Sequence, residues 1–140
     1  APLFDECLRR EGSFAAGPTG GGSLIGDLHL ENFGVFRTDA GAAMFHINDF
    51  DALRDGPWRF DVLRLLTSIL LARPELKASG TEAHELARLA LEGHQLGLGG
   101  ARVHPPAFVL AWTRKARAAP AAKLLDKHPA LPPALRTAIA

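Results

Sequence analysis

The sequence predicts an α+β fold: a small antiparallel β-hairpin site followed by about four helices. Three observations carry this. Short apolar runs of strand length, at residues 23–26, 33–36 and 43–47, are separated by polar and turn residues. From Trp58 onward, apolar residues recur at helical spacing instead. Prolines and glycines then divide the remainder into helix-length segments.

Each element follows from local chemistry. Leu3, Phe4, Leu8 and Phe14 lie among charges and predict a short helix over 3–11, ended by Gly12. Residues 17–23, Gly-Pro-Thr-Gly-Gly-Gly-Ser, read as a flexible linker. They lack the G-K-[ST] ending of a phosphate-binding loop, and a strand pattern follows them rather than a helix. Residues 23–26 suit a buried strand end closed by Gly26. The next two runs read as a hairpin across Thr38-Asp39-Ala40-Gly41. Arg54-Asp55-Gly56-Pro57 reads as a loop, with Pro57 at a helix entry. Residues 58–72 are apolar almost all round, the mark of a central buried helix that Pro74 ends. Its few charges, Asp61 and Arg64, need partners, and Asp61 is expected to accept backbone N–H groups or pair with an arginine. Ser79 and Glu82 form a capping box before a helix over 81–96. Pro105-Pro106 opens a helix to residue 118, and shorter helices are expected over 121–127 and 133–140.

Composition sets the bounds. With 140 residues and 47% hydrophobic content, the chain is long enough for a single domain with a core. Cys7 is the only cysteine, which excludes an internal disulfide and a cysteine-based zinc site. A net charge of +1 gives no push toward nucleic acid, and no apolar run is long enough to span a membrane. The cytoplasm is the expected compartment. Acidic residues outnumber basic ones up to Asp61, and the balance reverses beyond Arg102.

The polar groups sit where strands end: Asp27 to Asn32 before the hairpin, Asn48 to Asp51 after it. A hairpin returns the chain to the end it left, so the two clusters should lie side by side. Asp27, Asp49 and Asp51 brought together would repel one another and want a cation. Carboxylates with the Asn32 amide are hard oxygen donors, suited to Mg²⁺ or Mn²⁺. His29 would favour a transition metal as a ligand, and reads better as a structural hydrogen-bonding group.

The run Asp27-Leu28-His29-Leu30-Glu31-Asn32 has the D-x-x-x-x-N spacing of the catalytic loop in kinase-like phosphotransferases. Asp49-Phe50-Asp51 stands where that superfamily carries its metal-binding D-F-G or I-D-x-D. The stretch resembles aminoglycoside-phosphotransferase and choline-kinase-like proteins more closely. It resembles the bacterial domain-of-unknown-function family twenty-two-fifty-two more closely still, over residues 24–73. That resemblance implies a protein-kinase-like large-lobe fragment using ATP and Mg²⁺ (or Mn²⁺) to phosphorylate a small-molecule hydroxyl. Asp27 would be the general base or hydroxyl-orienting group. Asn32 and Asp49 would be metal ligands, with Asp51 a ligand or a group behind one. Asp61, His29 and Arg64 would support the site, Asp61 bracing the Asp27 loop from a helix start. Relatives often carry His two residues before the catalytic Asp, where this chain has Ile25. No lysine precedes Lys77, so a phosphate-binding lysine is expected either to be replaced by Arg9 or Arg10 or to lie outside the chain. Residues 1–23 read as an N-terminal segment and linker, 24–73 as the site core and 74–140 as the helical part of a longer protein. Two rival readings remain: a silent kinase-like module binding nucleotide or a partner, and a metal-dependent phosphoesterase suggested by Gly26-Asp27-Leu28-His29. The latter lacks the later histidine pair such enzymes need.

Overall fold

A computed structural model describes residues 2–17, 20–38 and 40–118. Its element order is α1 (Pro2–Arg10), α2 (Gly12–Ala15), β1 (Gly21–Leu24), a 3₁₀ turn (Leu30–Asn32), β2 (Phe33–Arg37), β3 (Ala43–Ile47), β4 (Arg54–Pro57), α3 (Arg59–Leu71), α4 (Gly80–Leu98) and α5 (Ala107–Ala118). The fold is mixed α+β with two small antiparallel ribbons, β1–β4 and β2–β3. The helices expected over 121–127 and 133–140 lie outside the described residues, as does Asp39 of the hairpin turn. No described helix is long and apolar enough to cross a membrane.

The chain divides into two compact units. One contains Ala1–Phe33 and Ile47–Val103, the other Gly34–His46 and His104–Ala140. In the second unit, Trp112 of α5 meets Phe108 edge-on at 5.3 Å and Phe45 of β3 at 6.4 Å between ring centroids. The first unit holds the candidate site.

The β1–β4 ribbon corrects the expectation of a loop at 54–57. Leu24 pairs with Arg54, Ser23 with Asp55, Gly22 with Gly56 and Gly21 with Pro57. These residues lack β propensity, so packing decides the matter. Leu24 is 1% exposed, and a Cβ on Gly56 would come within 2.9 Å of its side chain. Burying that leucine contributes about 1.5–3 kcal/mol, and only glycine at 56 leaves the room. The same ribbon shortens the expected linker, since Gly21 and Gly22 are strand residues.

Helix α3 packs on α4. It is not buried all round as its composition suggested: Arg64 and Ile69 are buried, while Leu71 is 74% exposed. Helix α4 opens at the expected capping box. Ser79 Oγ accepts from the Glu82 N–H at 3.2 Å, and the Glu82 carboxylate accepts from the Ser79 N–H at 2.8 Å.

Candidate functional site

The site begins where β1 ends. The chain must leave the ribbon sharply after buried Leu24, and Gly26 makes the bend with φ +83°. A Cβ there would lie 2.0 Å from the Ala52 carbonyl oxygen, so the backbone of the 49–52 loop runs against Gly26. Only glycine meets both conditions.

Asp61, in the first turn of α3, does not cap its own helix. Its carboxylate accepts the Ile25 N–H at 2.7 Å and the Gly26 N–H at 3.0 Å, one on each oxygen. Two otherwise unpaired donors are thereby satisfied by a charged acceptor just before Asp27. Ser68, two turns along α3, accepts the Leu30 N–H at 3.1 Å. One helix face therefore pins both ends of the Asp27 loop.

The loop closes on itself through Asn32. The Asn32 Oδ1 accepts the His29 N–H at 3.1 Å, and the His29 Nδ1 accepts the Glu31 N–H at 3.3 Å. His29 is thus a turn-former here. Asn32 is 3% exposed, and its Nδ2 donates to the Asn48 carbonyl at 3.4 Å. The Asn48 N–H returns a bond to the Asn32 carbonyl at 2.7 Å. Residues 25–31 and 49–53 are therefore clamped at both ends, by the β1–β4 ladder and by the Asn32–Asn48 exchange.

Asp49 carries φ +68°, a left-handed conformation uncommon for a side-chain-bearing residue. Its Oδ1 accepts the Asp51 N–H at 3.3 Å, an Asx turn that eases the strain. Both residues are exposed. Asp27 turns instead to Arg64, whose Nη1 donates to its Oδ1 at 2.8 Å. The Asp27 side chain is 47% exposed and that of Arg64 only 8%. The loops adjoin as the hairpin return requires, but Asp27, Asp49 and Asp51 do not form a three-carboxylate cluster. Among the described residues, no three His, Cys, Asp or Glu side chains gather closely enough to hold a metal ion. The physical reason is visible: a guanidinium occupies one acid and a backbone N–H another. The Asn48 side-chain oxygen, between the two loops in sequence, is buried without a partner.

Two cavities flank this centre. One of about 520 Å³ lies between α1, the ribbon and the start of α3, lined by Asp5, Leu8, Leu24, Arg54 and Phe60 among others. The other, about 350 Å³, is walled mainly by Leu28, Phe33, Val62 and Leu65, with Asp61 and His94 on its lining. The His94 ring lies 5.8 Å from Trp58, and its Nε2 is buried without a partner.

A family model described as "Uncharacterized protein conserved in bacteria (DUF2252)" matches residues 3–124. The chain belongs to this family. No curated protein and no solved structure matches it. The DUF2252 match takes in both clamped loops and α3, and also α1, where the sequence offered only Arg9 or Arg10 as a replacement for a phosphate-binding lysine; both are exposed and pair with Glu6. That helix carries Asp5, which accepts from Arg54 at 2.8 and 3.1 Å and from Arg64 at 3.3 Å. Asp5 and Arg54 are 49 positions apart, so no local pattern could reveal the pair.

Proposed function

We propose that this DUF2252 chain carries the catalytic loops of a kinase-like phosphotransferase acting on a small-molecule hydroxyl with ATP and a divalent cation. The observation that carries the reading is the Asp61 clamp. A helix-start carboxylate takes two successive backbone N–H groups and leaves the next residue, Asp27, half-exposed at a fixed point. Beside it stands a second acidic loop whose first acid sits in a left-handed turn. Phosphoryl transfer needs this kind of rigid positioning more than it needs covalent help from the protein.

Asp27 orients the acceptor hydroxyl and takes its proton. Asn32 and Asp49, with Asp51 behind, would hold Mg²⁺ or Mn²⁺. Carboxylate and amide oxygens are the hard donors such an ion takes, but Asn32 Oδ1 is engaged by the His29 N–H and would have to release it, so the exposed Asp49 and Asp51 carboxylates are the donors open to a cation. Once bound, the cation would neutralise phosphate charge beside the carboxylates.

The test separates the two acids. In the intact natural protein, Asp27→Asn should lower kcat by about 10²–10⁴-fold while nucleotide binding stays near wild type. Asp49→Asn should weaken nucleotide affinity and its Mg²⁺ dependence. If Asp27→Asn abolishes binding while Asp49→Asn changes nothing, these roles are wrong. The silent-module reading draws on the chain's lack of lysine before Lys77. It wins if ATP binds but no variant alters a turnover that is already nil.

A further inference from the structure

We propose that Asp5 of α1 is a positioning residue for Asp27, acting through Arg64. The proposal rests on the reading of Asp27 as the group that meets the acceptor hydroxyl. Arg64 divides its guanidinium between two acids: Nη1 donates to Asp27 at 2.8 Å and Nη2 to Asp5 at 3.3 Å. Arg54 fixes Asp5 in turn through two bonds, at 2.8 and 3.1 Å. The Arg64 guanidinium carbon lies over the Phe4 ring, 4.4 Å from its centroid.

A guanidinium is a planar fork with fixed prong geometry. With one prong on Asp5, the other on Asp27 and its carbon over the Phe4 ring, its orientation is fixed from three sides. The location of Asp5 therefore sets the angle at which the other prong meets Asp27. Arg64 is also too buried to swing into water if a partner is lost. The four groups Asp5, Asp27, Arg54 and Arg64 sum to zero charge, so neither acid draws an uncompensated cation. The hydrogen bond from Arg54, more than any other contact, holds the Asp5 carboxyl below its ordinary range, and it is ionised at neutral pH. Without Asp5, both prongs of Arg64 are free to close on Asp27. That carboxylate would then be held two-fold and drawn away from an incoming hydroxyl.

A purely structural tie of α1 to the molecule predicts something different, and a double-mutant cycle tells the two apart. In the intact protein, Asp5→Ala should lower kcat by on the order of 10–100-fold with the KM for ATP unchanged, the scale of a slight misplacement of a reacting group. In the Asp27→Asn background the same substitution should have no further effect. Asp5→Asn keeps the shape without the charge and serves if the alanine variant does not fold; it should show a smaller loss in the same direction. An equal loss in both backgrounds, or no loss in either, overturns the proposal. If the wild type proves inert toward ATP, the phosphotransferase reading falls and the positioning claim is read from structures of wild type and Asp5→Ala. Arg64 swung onto both oxygens of Asp27 supports it, and an unchanged single contact overturns it.

Discussion

Gly26 is the residue on which the two loops depend. Its φ is positive, and a Cβ added there would lie 2.0 Å from the Ala52 carbonyl oxygen, so a single methyl group meets both backbone strain and a carbonyl. Gly26→Ala should destabilise the fold by about 2–5 kcal/mol, adding a left-handed penalty to an overpacking one. Urea unfolding measures this, and a loss under about 1 kcal/mol would mean the loops part easily. Asp49 is strained in the same sense but keeps its side chain, so the acid there is retained at a cost to the backbone. Strain of this kind is what a functional position would carry, which is why Asp49→Asn is the informative variant and not a deletion of the loop.

At the scale of elements, α3 is the organiser. Asp61 and Ser68 reach the Asp27 loop from one face while Arg64 reaches Asp27 itself. Asp61→Ala should leave the Ile25 and Gly26 N–H groups without an acceptor, at about 1–3 kcal/mol for each. Amide hydrogen exchange at Ile25 and Gly26 should accelerate; unchanged protection at both would show that another group holds the loop. Helix α1 adds a pH dependence. Because Arg54 lowers the Asp5 pKa in the folded state, the stabilisation from Asp5 is complete above its ordinary value of 3.8. It is lost as pH falls through the lower folded value. The stability gap between wild type and Asp5→Asn should therefore be level near neutrality and shrink in strong acid; a gap that grows toward low pH contradicts the pairing. Legibility in the sequence follows the range of the interaction. The capping box of α4 and the hairpin runs are local, and residues 33–36, 43–47, 79 and 82 announce them directly. Asp61 was legible because a charge on an apolar helix needs a partner. The β1–β4 ribbon was not, since glycines and a proline pair there only because Leu24 must be covered. Asp5 was not, since its partners lie 49 and 59 positions away.

For the whole molecule, the first compact unit unites segments before and after the hairpin. The loops that carry Asp27 and Asp49 are held by backbone exchange, by the β1–β4 ladder and by α3, and not by a preformed cluster of carboxylates. A cation in such a place would arrive with its nucleotide, so binding of Mg²⁺ alone should be weak and binding of Mg²⁺ with ATP cooperative. Calorimetric titration with each alone and both together checks this; tight Mg²⁺ binding without nucleotide would contradict it. The decisive measurement is Mg²⁺-dependent transfer of the ATP γ-phosphoryl group by the intact protein to a panel of small hydroxyl compounds, with Asp27→Asn alongside. Phosphotransferase chemistry predicts a phosphorylated acceptor and stoichiometric ADP, both reduced by about 10²–10⁴-fold in the variant. Bound ATP that remains intact under every acceptor, or transfer that Asp27→Asn leaves untouched, would contradict it.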